Sequence, residues 1–198
     1  SVYASTGASL SIASGRISFA LGLLGPCASF ETACSASLVA CHSAARALRL
    51  GEGDTHLAAG INLMLLPSSS VGFAVAGMTS LAGRCHTLDA RADGFVRADG
   101  CGAVAMRLSG ATVLRGSAVR QDGRSASLTA PNGLAQQALL RAALSDAGTA
   151  VDALGSIELH GTGTPLGDPI ESGSLVSAVV SDERGSLVCG GIKANVGH

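Results

Sequence analysis

Short apolar runs of strand-like composition alternate with helical patterns along this chain, and this alternation constrains the fold more than any other feature. Strands are predicted over residues 56–64 and 101–108. A helix is predicted over residues 134–147, with Asn132 as its N-terminal cap and Gly148 as its stop. Alternating strands and helices are typical of layered domains in which helices cover the faces of a sheet. The sequence therefore predicts the α/β class.

The same reasoning places the remaining elements. Further strands are predicted over residues 28–32, 111–120, 156–159 and 187–190, and further helices over residues 34–50, 71–76 and 169–180. Thr32 and Gly51 are the predicted ends of the helix over residues 34–50. Residues 79–99 are polar and punctuated by glycine, which predicts a surface or active-site loop. A break at Ser109 and Gly110 divides the chain into two predicted domains, residues 1–110 and 111–198.

The chain carries few charges for its size. Charged residues make up 14% and hydrophobic residues 47% of the sequence, whereas a typical soluble domain has about 25% charged residues. This composition predicts either the interior of a larger assembly or an oligomer face, although a globular protein rich in small residues fits equally well. The chain begins without Met and ends on His198, and we expect it to be cut at both ends.

Several classes of function are disfavoured by what the sequence lacks. It has no basic run and a single Tyr, which disfavours a nucleic-acid site. No apolar stretch reaches the roughly 20 residues that a membrane span requires. The cysteines and histidines show no zinc-like spacing, so no metal site is predicted. Reduced thiols in a cytoplasmic protein are the expectation for the six cysteines.

Cys34 lies at the junction of a predicted strand and a predicted buried helix. The partial positive charge at a helix N-terminus stabilises a thiolate, which is the nucleophilic form. Its small neighbours Ala33, Ser35 and Ala36 permit a tight turn and leave space for a substrate. From position alone, a catalytic cysteine and a buried small residue, as predicted for Cys41, are equally good interpretations.

Two histidines lie in glycine-containing segments. His160 ends a predicted strand and precedes the sequence G-T-G-T, so it is placed to reach into a pocket. His198 closes the sequence K-A-N-V-G-H, which begins at Lys193. Taken alone, His160 fits a structural position better than a catalytic one, and His198 has no interpretation. The glycine spacing from Gly161 to Gly167 does not match a nucleotide-binding loop.

Five segments resemble motifs of the ketosynthases of type I polyketide synthases. The sequence E-T-A-C-S-A-S-L around Cys34 resembles the nucleophile motif D-T-A-C-S-S-S-L. The sequence E-L-H-G-T-G-T-P-L-G-D-P-I-E around His160 resembles E-A-H-G-T-G-T, and K-A-N-V-G-H is similar to K-S-N-I-G-H. Residues 89–102 and 115–125 also match family segments. The motifs occur in family order and span nearly the whole chain, so coincidence does not explain them.

The resemblance implies a thiolase-like fold of αβαβα layers, incomplete at both ends, and a β-ketoacyl synthase activity. Such an acyltransferase performs a decarboxylative Claisen condensation. Cys34 would accept an acyl chain, while His160 and His198 would bind the carbonyl of a malonyl thioester and stabilise its enolate. Lys193 would tune the site electrostatically. Supporting positions in the matched motifs are Thr162, Thr164 and Asp99, of which Asp99 replaces a usual Glu.

The resemblance also implies the partners. No bound cofactor and no metal are expected, because the substrates would be carried on the phosphopantetheine of an acyl carrier protein. A homodimer is expected, together with an acyltransferase and other synthase domains in the parent protein. No nucleic acid and no membrane span are expected, and the location would be cytoplasmic unless a targeting segment lies upstream. The family's N-terminal region and its G-F-G-G loop lie outside the chain, so we expect an internal fragment without activity of its own.

Four alternatives stay open at this point. The ketosynthase of a fatty-acid synthase shares the Cys-His-His set, although D-P-I-E and N-V-G-H favour the polyketide side. A thiolase is disfavoured because its motifs differ. A non-catalytic ketosynthase-like partner, or a loading domain that only decarboxylates, would lack the nucleophile that Cys34 supplies.

Overall fold

The computed structural model describes residues 2–180 and 186–198. It divides into two compact units, here called unit 1 (Ser1–Ile61 and Cys101–Leu114) and unit 2 (Asn62–Gly100 and Arg115–His198). The helices are α1 (Ala4–Ala8), α2 (Leu10–Leu21), α3 (Ala36–Arg49), α4 (Pro67–Val75), α5 (Gly133–Ala147), α6 (Gly167–Val179) and α7 (Lys193–Val196), and the strands are β1 (His56–Asn62), β2 (Gly100–Met106), β3 (Ser156–Glu158) and β4 (Val188–Gly190). The predicted α/β class is confirmed. The predicted boundary between residues 110 and 111 stays a prediction.

Unit 1 is built on α3 and on the pairing of β1 with β2. The buried face of α3 consists of Ala44, Ala45 and Leu48. The helix ends where predicted, because Gly51 adopts a left-handed conformation with φ of 74° and donates its N–H to the carbonyl oxygen of Leu48. The prediction of a buried helix therefore holds for this face only, because the other residues of α3 are half-buried or exposed.

Unit 2 has its core between two helices and a short parallel sheet. In that sheet Ser156 pairs with Val188 and Glu158 pairs with Gly190. Leu159, Leu175 and Val179 form the buried cluster, against which side chains from α5 pack. The predicted caps of α5 are confirmed, since the Asn132 side chain accepts the N–H groups of Leu134 and Ala135 and Gly148 has φ of 56°.

Two strand predictions were wrong. Residues 28–32 form no strand, and Ser29 there bonds instead to the hydroxyl of Ser14 at 2.9 Å. Residues 111–120 form no strand either, and the part of this segment that lies in unit 2 contacts the end of α5 instead. There the Ser117 N–H donates to Asp146 Oδ2 at 2.9 Å, and Gly116 lies too close to Ala147 to carry any side chain. An apolar run becomes a strand only where a neighbour pairs with it.

Much of the apolar surface of unit 1 is exposed. Helix α2 has no buried residue, and six of the seven residues of β2 are exposed. The sequence-based prediction that another part of the assembly covers such surface stays a prediction. In the described part of the chain, no helix is both long and apolar enough to cross a membrane.

Candidate active site

Cys34 occupies a 3₁₀ turn (Ala33–Ser35) that leads directly into α3, and its thiol is exposed. The turn forces Ala33 into the left-handed region with φ of 51°. For an alanine this conformation costs about 1–2 kcal/mol, and such strain is concentrated at functional sites. The exposed position rules out the interpretation of Cys34 as a buried small residue.

The predicted cap at Thr32 was wrong in its detail. The Thr32 side chain caps no backbone N–H group of the turn. Instead the Ser35 hydroxyl bonds to the Thr32 carbonyl oxygen at 2.8 Å and to Thr32 Oγ1 at 2.9 Å. These bonds close the turn on both sides of Cys34 without occupying its sulfur atom.

His160 follows β3, and a carboxylate holds its backbone. The His160 N–H donates to Glu171 Oε1 at 2.6 Å, and the Gly161 N–H donates to Glu171 Oε2 at 2.9 Å. Both oxygens of one side chain on α6 therefore fix the start of the loop. This bidentate contact determines where the histidine leaves the strand.

A second carboxylate organises the loop after His160. Asp168 is 3% exposed and accepts the N–H groups of Gly163 at 3.1 Å and Leu88 at 2.8 Å. The predicted supporting residues Thr162 and Thr164 have their hydroxyl oxygens 3.3 Å apart. Thr164 Oγ1 also accepts the Gly167 N–H at 3.1 Å, which ties the loop to the first turn of α6.

The structure brings His198 and His160 together. The two rings meet edge to face, with centroids 5.2 Å apart at 88°, and His198 makes a similar contact with Phe95 at 5.2 Å. The His198 N–H donates to the Val96 carbonyl oxygen at 2.7 Å, and the Ala98 N–H donates to the His198 carbonyl oxygen at 2.8 Å. The loop over residues 79–99 thus anchors the second histidine.

Both imidazoles are driven towards the neutral form. Loss of solvation lowers the pKa of His198 to about 4, with smaller contributions from His160 and the positive charge of Lys193. Loss of solvation and Lys193 also lower the pKa of His160, which Glu171 and Asp168 partly oppose. At neutral pH each ring therefore carries one N–H donor and no charge.

Lys193 acts electrostatically on the two histidines, whereas Asp99 makes a backbone hydrogen bond elsewhere. Lys193 begins α7 and acts on both histidines through its charge. Asp99 lies at the end of the loop over residues 79–99, where Oδ1 accepts the Met64 N–H at 2.6 Å. Asp99 thus anchors backbone, and its role in catalysis stays a prediction.

Sequence reasoning used Asp168 and Glu171 only as letters of a motif and assigned them no role. The available signal was two carboxylates three residues apart in the first turns of a helix that follows a glycine-rich loop. Carboxylates in that place meet the free N–H groups of the preceding loop. Sequence reasoning also missed Thr87, whose hydroxyl donates to the Gly161 carbonyl oxygen at 2.5 Å.

Two protein-family models match the chain, and together they include the cysteine turn and both histidine segments. The model of the N-terminal domain of beta-ketoacyl synthases matches residues 1–109, and the model of the C-terminal domain matches residues 111–198. The chain belongs to the beta-ketoacyl synthase family. Its relatives and similar solved structures, described next, confirm the resemblance to ketosynthases of type I polyketide synthases.

Relatives and solved structures agree with this assignment. The chain is 49% identical to a phenolphthiocerol/phthiocerol polyketide synthase of Mycobacterium tuberculosis and 45% identical to a mycocerosic acid synthase-like polyketide synthase of Mycolicibacterium smegmatis, over 99% of its own length in both cases. The oxazolomycin ketosynthase domain of Streptomyces albus superposes with a TM-score of 0.92 at 36% identity over 96% of the chain. The ketosynthase from module 6 of the bacillaene synthase of Bacillus subtilis superposes with a TM-score of 0.91 at 37% identity over 97%. These similarities confirm the thiolase-like fold.

The chain is short relative to these ketosynthase-containing proteins. It spans 9% and 10% of the two polyketide synthases and 35% and 36% of the two solved chains.

Proposed function

We propose that this chain carries the nucleophile and both histidines of a ketosynthase that performs decarboxylative Claisen condensation in polyketide biosynthesis. The observation that carries the proposal is the pair formed by His160 and His198, whose rings lie 5.2 Å apart and whose pKa values are both lowered. Membership of the family and the polyketide synthases among the relatives support the same reaction.

In the first half-reaction Cys34 takes up the acyl chain. Its thiolate attacks the carbonyl carbon of an acyl thioester on the phosphopantetheine of an acyl carrier protein. A new carbon–sulfur bond forms to Cys34, and the phosphopantetheine thiolate leaves. The exposed thiol at the start of α3, held by the strained turn, suits this attack.

In the second half-reaction the histidine pair acts on a malonyl thioester. The bond to its carboxylate breaks, CO2 leaves, and the electron pair passes into an enolate. Two neutral imidazoles can each donate an N–H to the enolate oxygen, where negative charge develops. The charge of Lys193, which already depresses the pKa of both rings, stabilises the same anion.

The enolate carbon then completes the condensation. It attacks the carbonyl carbon of the acyl-Cys34 thioester, a carbon–carbon bond forms, and the Cys34 thiolate leaves. The product is a β-ketoacyl thioester on the second carrier protein, extended by two carbons relative to the acyl chain. Atoms balance, with one CO2 released for each bond formed.

The proposal includes the partners and the location. Acyl carrier proteins would deliver both substrates, and an acyltransferase and further synthase domains would lie in the same protein, as the small covered share of the polyketide synthase relatives suggests. A homodimer and a cytoplasmic location belong to the proposal too. The exposed apolar faces of α2 and β2 are compatible with an interface.

The test is acyl transfer to Cys34 in the full-length protein that carries these residues. The protein is incubated with an acyl-thioester analogue, and the adduct is located by peptide mass mapping. We expect one adduct on Cys34 that is lost in Cys34→Ala and kept in Cys101→Ala, a matched control because Cys101 is also an exposed thiol of unit 1. Condensation with a malonyl carrier protein is expected to need His160 and His198 as well.

Two results would contradict the proposal. An adduct that persists in Cys34→Ala, or is spread over Cys27 and Cys101, would remove Cys34 as the nucleophile. A folded protein that forms no adduct and no condensation product would instead be a non-catalytic ketosynthase-like partner.

A further inference from the structure

One side chain, that of Thr87, reaches both histidine-bearing segments of unit 2. Its hydroxyl donates to the carbonyl oxygen of Gly161, the residue after His160, at 2.5 Å. Its methyl group packs against Gly161 and also against Gly191, which precedes α7. A Cβ on either glycine would lie 2.6 Å from Thr87 Cγ2, so neither position leaves room for a side chain.

Hydrogen bonds fix the segment around Thr87 both before and after this residue. The Leu88 N–H donates to Asp168 at 2.8 Å. Cys85 is 2% exposed, and its Sγ accepts the Val96 N–H at 3.3 Å. Because the Val96 carbonyl oxygen accepts the His198 N–H at 2.7 Å, the segment that carries Thr87 is linked through Val96 to the second histidine. Thr87 therefore has little freedom to move independently of the site.

We propose that Thr87 is a positioning residue that sets the separation of the His160 and His198 rings. The inference rests on the proposed function, because two donors must converge on one enolate oxygen for the pair to stabilise it. Donors misplaced by about 1 Å lose much of their effect on the rate. Thr87 fixes the residue beside His160 through its hydroxyl and limits the approach of the Gly191 segment through its methyl group.

The two parts of this side chain can be removed separately. Thr87→Val keeps the shape and the contact with Gly191 but leaves the Gly161 carbonyl oxygen without its donor. Thr87→Ser keeps the donor and loses the methyl group. A matched control is Thr149→Val, since the Thr149 hydroxyl also donates to a backbone carbonyl, that of Ala147 at 3.3 Å, away from the histidine segments.

The first readout is turnover by the full-length protein. We expect Thr87→Val to lower kcat for condensation about tenfold while changing KM for the malonyl carrier protein less than about twofold. Acyl transfer to Cys34 should stay at the wild-type level. Thr87→Ser should recover kcat to within about threefold of wild type, because it retains the hydroxyl donor.

The second readout does not require turnover. Diethylpyrocarbonate modifies neutral imidazoles, and peptide mass mapping gives the rate at each histidine. We expect the rates at His160 and His198 to change at least about threefold in Thr87→Val, with His42 of α3 as the internal reference, and not to change in Thr149→Val.

The outcomes distinguish a failure of the proposed function from a failure of the positioning role of Thr87. No acyl adduct on Cys34 in the wild-type protein would defeat the proposed function, and the modification rates would still decide the role of Thr87. Wild-type kcat and wild-type histidine reactivity in Thr87→Val would overturn the inference. Equal losses of kcat, acyl transfer and melting temperature in Thr87→Val and Thr87→Ser would also overturn it, because they would show a merely structural residue.

Discussion

Replacing Glu171 by Gln removes a charge from the backbone of the candidate active site with almost no change of shape. The carboxylate accepts two N–H groups, from His160 at 2.6 Å and from Gly161 at 2.9 Å. A glutamine side chain can accept one of these bonds, but its NH2 group would then face the other N–H. Hydrogen bonds to a charged group contribute about 1.5–3 kcal/mol each, so the substitution should displace the start of the loop at a cost of about 2 kcal/mol.

If the displaced loop moves the His160 ring out of position, this energetic cost becomes a loss of transition-state stabilisation. A loss of about 2 kcal/mol in the transition state lowers kcat for condensation roughly 30-fold. Electrostatics act in the opposite direction, because Glu171 raises the pKa of His160 and its removal leaves the ring more fully neutral. A fall in the rate of condensation at neutral pH would therefore result from a displaced His160 ring and not from a change in its protonation.

The assay is CO2 release and β-ketoacyl product formation by the full-length protein, with acyl transfer to Cys34 measured separately. Asp146→Asn is the matched control, since Asp146 also accepts a backbone N–H, that of Ser117 at 2.9 Å, away from the histidines. We expect Glu171→Gln to slow condensation roughly 30-fold and to keep acyl transfer. Condensation within twofold of wild type, or an equal loss of acyl transfer, would refute the reasoning.

Two further predictions concern the electrostatics and the backbone. Condensation should be independent of pH above about 6.5, the usual histidine pKa, and should slow on acidification as the rings protonate. Because Lys193 lowers the pKa of His160 and His198, Lys193→Met should move the acid limb of the pH–rate profile to higher pH. An unmoved limb would exclude the electrostatic role of Lys193. Ala33→Val should slow acyl transfer to Cys34 about tenfold, because a β-branched residue disfavours a φ of 51°. Mass spectrometry of the acylated protein measures this effect, and wild-type acylation in Ala33→Val would show that the strained turn is not needed.

Local signals in the sequence were sufficient for several elements and for the choice of the candidate reactive residues. The caps of α5 were predictable because Asn132 and Gly148 act on their own helix ends through bonds only a few residues long. Cys34, His160 and His198 were found through motifs, in which each residue type is set by the chemistry of a nucleophile or a hydrogen-bond donor. In the structure Cys34 lies in the turn before α3, where it is exposed, and the rings of the two histidines meet.

Tertiary structure decided what joins segments distant in sequence. The strands predicted over residues 28–32 and 111–120 fail because an apolar run does not reveal whether a partner strand lies beside it. The meeting of His160 with His198, and the link that Thr87 makes between their segments, depend on contacts over 38 and 74 positions along the chain (198 − 160 and 161 − 87). Sequence determined which groups this protein can use, because those groups act through their own chemistry. Only packing could determine which of them lie next to each other, as His160 and His198 do, since that depends on distances that no local pattern encodes.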